Sequence, residues 1–185
     1  MPKTDPSDET AVGPAFAAIY REHHGFVWRS VRRLGVPDGD VDDLVQDVFI
    51  VAHRRLAEFE GRSKLSTWLF GIAYRVVKDH RRSQQARERR EADVTVPRPP
   101  TVPDRKVSRR QAAAVLDQLL GELDEDKRDV FVMAEVAKMT APEIADTLGV
   151  KLNTVYSRLR AARTRFEEVL EQHRAQRSKG LPWLS

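Results

Sequence analysis

The stretch from Met139 to Phe166, MTAPEIADTLGVKLNTVYSRLRAARTRF, reads as two short helices joined by a tight turn. Thr140 stands where its hydroxyl can cap the first helix, and Glu143 is placed to reach back to the cap, with Pro142 in the first turn. Ile144, Ala145 and Leu148 give that helix one apolar face. Gly149 follows where a left-handed residue ends a helix at little steric cost. Val150 plugs the turn, and a second periodic run opens near Leu152.

In that run Leu152, Val155, Leu159, Ala162, Phe166 and Val169 or Leu170 recur at helical spacing, which predicts a buried stripe. At about 3.6 residues per turn the opposite face carries Asn153, Ser157, Arg160 and Thr164, with Tyr156 and Ala161 beside it and Arg158 and Arg163 on the flanks. Lys151 to Arg165 holds five basic residues and no acidic one. A helix buried on one side and polar-cationic on the other suits the major groove, where short polar groups and Arg reach base edges and flanking Arg meet phosphates. The alternative is a helical hairpin whose basic face is merely solvated. Small alanine, turn glycine and capping box all fall in register, which favours a DNA-binding helix-turn-helix of unspecified kind.

The chain has 185 residues, room for one ordinary domain or two small ones. Charged residues make up 32% and aromatics 7%, which argues against a single large core. A net charge of +4 is modest, so where the charge sits matters more than its size. There is no cysteine, which removes disulfides, thiolate metal sites and thiol catalysis together. No apolar run approaches the roughly 20 residues that span a bilayer. MPKTDPSDET lacks the apolar core of a signal peptide, so a soluble, cytoplasmic protein is expected.

Residues 1–12 are polar with two prolines and are expected to be disordered. From Pro14 the pattern turns helical, with Phe16, Ile19, Tyr20, His23, Val27, Val31 and Leu34 on one face. His23 and His24 lack a carboxylate or third His at ligand spacing, so they read as a helix-surface pair, not a metal site. After the Gly35–Gly39 break, Asp40 is the expected cap of a helix whose apolar stripe is Val41, Leu44, Val45, Val48, Phe49, Ala52 and Leu56. Its other side shows Asp42, Asp43, Gln46, Asp47 and Arg54. The five aspartates from Asp38 to Asp47 admit two readings, helix-dipole capping with solubility, or a surface for a basic partner.

The loop FEGRSKLSTW leads to a third helix from about Ser66, with Trp68, Leu69, Ile72, Ala73 and Val76 inward and Arg75, Lys78, Arg81 and Arg82 outward. Phe59, at the loop mouth amid polar and basic residues, can stack an unpaired base or anchor the core, and the sequence leaves both open. VTVPRPPTVPDRK has four prolines and reads as an extended, semi-rigid linker. Two helical domains are therefore expected, near 13–86 and 108–174, joined by a linker at 87–107. The second domain is expected to open with a helix carrying Val115, Leu116, Leu119, Leu120 and Leu123, then one carrying Val130, Phe131, Met133, Ala134 and Val136. The tail at 175–185 ends around Trp183 with no assigned role.

Taken together, DVDDLVQDVFIVAHRRL, then F-x-G-R-S-x-L-S-T-W-L-F-G-I-A-Y-R-x-x-x-D-H-R-R, a linker and EIADTLGVKLNTVYSRLRAARTRF resemble the extracytoplasmic-function sigma factors, the minimal two-domain promoter-specificity subunits of bacterial RNA polymerase. The resemblance implies an all-α fold of two small helical domains. It assigns Asp42, Asp43, Gln46 and Asp47 to the coiled-coil clamp of the polymerase largest subunit, which favours the partner reading of the acidic helix. It gives recognition and melting of the minus-10 element to the loop and third helix, through Phe59, Arg62, Ser63, Lys64, Trp68, Arg75, Lys78 and Arg82. It gives the minus-35 element to Asn153, Thr154, Tyr156, Ser157, Arg158, Arg160 and Arg163, with the same domain contacting the flap of the second-largest subunit. No metal or other cofactor is implied. A separate anti-sigma factor is the expected regulator.

Three positions depart from the family pattern. Arg75 stands where many members have Asn, Lys151 and Leu152 replace the usual Ser or Pro opening of the recognition helix, and Asp124 stands where proline is common. The nearest rival function is a free-standing helix-turn-helix repressor, which would need a dimer and two-fold related half-sites, and no sustained heptad offers a dimer helix. A protein that keeps the fold only to bind anti-sigma factors, without promoter activity, is a further alternative. An enzyme is more distant, because five scattered His with no Cys, GxSxG, P-loop or HExxH do not supply convergent catalytic groups.

Overall fold

A computed structural model of the chain describes residues 6–91 and 109–179, with side chains described over 16–89 and 113–175. Those residues form only helices and turns, in two compact units. The first holds α1 (Pro6–Arg33), α2 (Asp38–Arg55) and α3 (Leu65–Glu91); the second holds α4 (Arg109–Gly121), α5 (Glu125–Phe131), α6 (Ala141–Leu148) and α7 (Leu152–Lys179).

In the first unit α2 packs on α3, and the core is built from Val27 and Val31 of α1, the α2 stripe Val41, Leu44, Val45, Val48, Phe49 and Ala52, and Leu69, Phe70, Ile72, Ala73, Tyr74 and Val77 of α3. Each such large side chain stabilises the unit by about 1.5–3 kcal/mol through burial. The buried face of α3 is broader than its sequence pattern. Phe70, Tyr74 and Val77 are buried, whereas the expected Trp68 and Val76 are only half-buried. Ser30 sits among the apolar side chains because its hydroxyl donates to the Phe26 carbonyl one turn back, at 2.8 Å.

Three boundaries differ from the sequence reading. Residues 6–12, expected to be disordered, continue α1, and the rest of that segment (1–5) lies outside the described residues. Residues 87–91 extend α3 and 175–179 extend α7, so the expected linker and tail lose their first residues to helix; 92–108 and 180–185 lie outside the described residues. Asp40 is not the cap of α2. The helix already begins at Asp38 behind Pro37, whose carbonyl accepts from the Asp40 N–H at 2.9 Å, and the Asp40 carboxylate lies 3.5 Å from His80 Nε2 instead.

In the second unit α5 and α6 both pack on α7. The end of α4 is closed by Arg128, whose guanidinium donates to the carbonyls of Leu120, Gly121 and Leu123 at 2.9, 3.1 and 2.9 Å. Those groups would otherwise lack partners at a helix terminus. A π turn over Val132–Val136 follows α5, buries Val132 and Met133, and ends at Lys138 in the left-handed region (φ 56°). Phe131 and Phe166 stack at 4.7 Å between centroids.

Candidate promoter and polymerase interfaces

The helix-turn-helix forms as its residues dictate. The Thr140 side chain accepts from the Glu143 N–H at 3.4 Å, while Glu143 Oε2 accepts from the Thr140 N–H at 2.7 Å and from its hydroxyl at 2.8 Å. Gly149 takes φ 66° and its N–H bonds back to the Ala145 carbonyl. A capped start and a left-handed stop fix α6, and α6 in turn fixes the angle at which α7 leaves the turn. Val155, Ala162 and Val169 are buried, with Leu159, Phe166 and Leu170 half-buried. Leu152 does not join this stripe. It opens the helix and is 39% exposed.

The opposite face of α7 is open to solvent at Asn153, Tyr156, Ser157, Arg160, Ala161 and Thr164. Arg160 has no ion pair or hydrogen bond among the described residues, and its guanidinium stands free at the centre of that face. The flanking arginines are engaged. Arg158 meets Asp126 at 2.6 Å, and Arg163 donates to Glu135 Oε1 through Nε at 3.0 Å and through a terminal nitrogen at 2.7 Å. Thr154 is half-buried, and its carbonyl accepts from the Ser157 hydroxyl at 3.0 Å. Asp124 caps α5, accepting from the Lys127 N–H at 3.1 Å and from its ammonium at 2.7 Å. The side-chain bond from Lys127 holds the Asp124 carboxyl below its ordinary pKa. Neither the flanking ion pairs nor this cap was visible as pairing in the sequence, which offers many acids between Glu122 and Glu168.

On α2, Asp42, Asp43, Gln46 and Asp47 are all exposed. They are not equivalent. The Trp28 indole N–H donates to Asp42 at 2.8 Å and Arg32 lies 3.3 Å from Asp38, so α1 uses two of the five aspartates to hold the start of α2. Asp43, Gln46 and Asp47 have no side-chain partner among the described residues. An open groove of about 590 Å³ between α1 and α2 adjoins this face, lined by Tyr20, His24, Phe49, Ile50 and His53 among others. His24, expected as half of a surface pair, is half-buried and stacks on Phe49 at 6.2 Å and near Tyr20 at 5.1 Å.

The loop after α2 passes through Phe59, Gly61 at φ 69° and Ser63, whose hydroxyl donates to the Lys64 carbonyl at 3.4 Å. Phe59 is half-buried with its ring 5.2 Å from that of Trp68, so it is partly anchored. Arg62 pairs with Glu60, and Lys64 is exposed. Arg75 and Arg82 are exposed on the outer side of α3, and Lys78 lies 5.8 Å over the Tyr74 ring. Arg82 has Asp79 at 3.8 Å, while Arg75 has no partner among the described residues. The loop and α3 side chains lie in the first unit, and the α7 set lies in the second. Among the described residues no helix is long and apolar enough to cross a membrane.

Residues 19–87 match the family model for sigma-70 region 2, and residues 113–166 match that for sigma-70 region 4. The chain is 32% identical over 183 residues to the RNA polymerase sigma factor NccH of Alcaligenes xylosoxydans xylosoxydans, covering 91% of this chain and 97% of that one. It is 29% identical over 166 residues to the sigma factor CnrH of Cupriavidus metallidurans, covering 85% and 87%. The solved structure of CnrH with the cytosolic domain of CnrY aligns with a TM-score of 0.60 at 29% identity, over 86% of this chain and 89% of that one. The sigma factor RpoE from Bartonella quintana, solved with the anti-sigma factor NepR, shares the fold with a TM-score of 0.72 at 22% identity, over 85% and 97%. The chain belongs to the sigma-70 family of RNA polymerase sigma factors, in its extracytoplasmic-function branch.

Proposed function

We propose how this sigma factor divides its work between its surfaces. It joins core RNA polymerase through the α2 face, with Asp43, Gln46 and Asp47 meeting the basic side of the largest-subunit clamp and Asp42 held in place by Trp28. It reads and opens the minus-10 element with Phe59, Arg62, Ser63, Lys64 and Trp68 and with Arg75, Lys78 and Arg82 on α3. It reads the minus-35 element with α7, and the second unit also meets the flap of the second-largest subunit. It acts in the cytoplasm as a non-catalytic initiation factor.

The observation that carries this reading is the Arg160 guanidinium, without a partner among the described residues, at the centre of a solvent-facing helix face, seated on a capped helix-turn-helix with Asn153 and Ser157 on the same face. Arg pairs with guanine through two hydrogen bonds in the major groove, worth roughly 1–3 kcal/mol of discrimination. CnrH is solved in complex with the cytosolic domain of CnrY, and a separate anti-sigma factor is the regulator proposed for this chain as well. Isolation of the chain from its native cell should recover a polypeptide that competes with core enzyme. The α2 assignment is tested by Asp43→Arg and Asp47→Arg. Both are expected to weaken binding to core polymerase while shifting stability by no more than about 0.5 kcal/mol, the usual range for exposed substitutions. Unchanged affinity in both variants contradicts the assignment.

A further inference from the structure

The exposed large apolar side chains among the described residues are Tyr20, Ile50, Leu152 and Tyr156. Two of them sit one helical turn apart at the start of α7, Leu152 at 39% and Tyr156 at 55% exposure. Single exposed apolar residues are ordinary on protein surfaces. This pair is different in its company. It lies along one edge of the face that carries Asn153 and Arg160, and Lys151 precedes it. The Tyr156 ring has no aromatic, hydrogen-bond or cation partner among the described residues.

Recognition helices enter the major groove by their N-terminal residues. In that groove thymine alone of the four bases carries a methyl group, at C5, and apolar side chains read it by contact. Four residues at a rise of about 1.5 Å separate Tyr156 from Arg160 by about 6 Å, or one to two base steps of about 3.4 Å. We propose that Leu152 and Tyr156 form an apolar shelf that selects a thymine through its C5-methyl, one or two steps from the guanine read by Arg160. The proposal rests on the assignment of α7 to the minus-35 element and adds a second, chemically different reader to it.

The test uses holoenzyme reconstituted from the full chain and core polymerase. A randomised minus-35 library first gives the preferred element, and each thymine in it is then replaced by deoxyuridine, which removes only the methyl. One position within two steps of the Arg160 guanine should lose about fourfold in affinity, the factor that about 0.8 kcal/mol for one buried methyl group converts to. Leu152→Ala and Tyr156→Ala should bind thymine and uracil there equally and keep the guanine preference, and Tyr156→Phe should keep the discrimination. The shelf is overturned if no thymine lies within that span, if every deoxyuridine is neutral, if the penalty survives both alanine variants, or if Tyr156→Phe abolishes it. Neutral deoxyuridines with the guanine preference intact sink the shelf alone. A library without enrichment sinks the α7 assignment beneath it.

Discussion

At the scale of single residues, the proposed split between base reading and phosphate anchoring on α7 follows what each arginine already touches. Arg160 has no partner among the described residues, whereas Arg163 must leave Glu135 to reach a phosphate. Arg160→Ala in the holoenzyme should therefore relax preference at one or two adjacent minus-35 positions. Arg163→Ala should weaken all sequences about equally and lower the salt slope by about one unit. Glu135→Gln should tighten all sequences without changing the preferred bases. Selection from a randomised library checks all three, and base preferences that move with Arg163 but not with Arg160 would mean that the helix docks in another rotation. Asp124 carries a different expectation. Its folded pKa lies below its unfolded one because Lys127 bonds the carboxylate, so it stabilises the fold above the unfolded pKa, and that contribution is lost as pH falls through the folded value. Asp124→Asn keeps a capping side chain but removes the charge. The difference in chemical-unfolding midpoint between the two proteins should close as the solution becomes acid, and a gap constant with pH would contradict the ion-pair account. Asp124→Ala, which removes the cap as well, should cost about 1 kcal/mol at neutral pH.

Among the elements, those whose ends are set locally were legible and those set by tertiary partners were not. Thr140, Glu143 and Gly149 act within a few residues of themselves, so spacing alone placed α6 and its turn. Gly149 tests this directly: a Cβ there meets nothing within 4 Å, so the strain of φ 66° is what a substitution feels. Gly149→Ala should destabilise the second unit by about 1 kcal/mol, and Gly149→Asn by less, since Asn tolerates the left-handed region. Equal stability of all three would show that the turn is not held there. Asp40 is not the cap that its position predicts, because Pro37 already starts α2 and the carboxylate lies beside His80 of α3, forty residues on in sequence. Phe70, Tyr74 and Val77 escaped the stripe drawn for α3 because that helix is covered over more than one face. Leu152 falls on the periodic stripe yet is exposed, because periodicity cannot tell a first helical residue, with no turn before it to cover it, from one inside the helix. Asp42 shows the same limit on α2: its exposure followed from the pattern, but its bond to Trp28 required knowing that α1 lies alongside.

For the molecule as a whole, one acidic face and two cationic sets are proposed to work on one polymerase. In the proposed division the acidic α2 face would join the polymerase, and the cationic loop, α3 and α7 side chains would join DNA. Each DNA-binding unit is small, so the free full-length chain should bind duplex DNA weakly, with affinity falling steeply as salt rises, and should show little promoter preference. Core enzyme should fix the spacing of the two units and link their binding, which is where specificity should arise. Titration of the chain onto promoter and random duplexes, with and without core polymerase, checks this. The most direct measurement is transcription by purified full-length chain plus core polymerase on a library of promoters randomised at both elements. The account predicts initiation from templates sharing one minus-35 and one minus-10 element at fixed separation, with Arg160→Ala altering the minus-35 choice alone. No promoter-specific initiation with core enzyme, together with tight binding of the free chain to two-fold related half-sites, would contradict it.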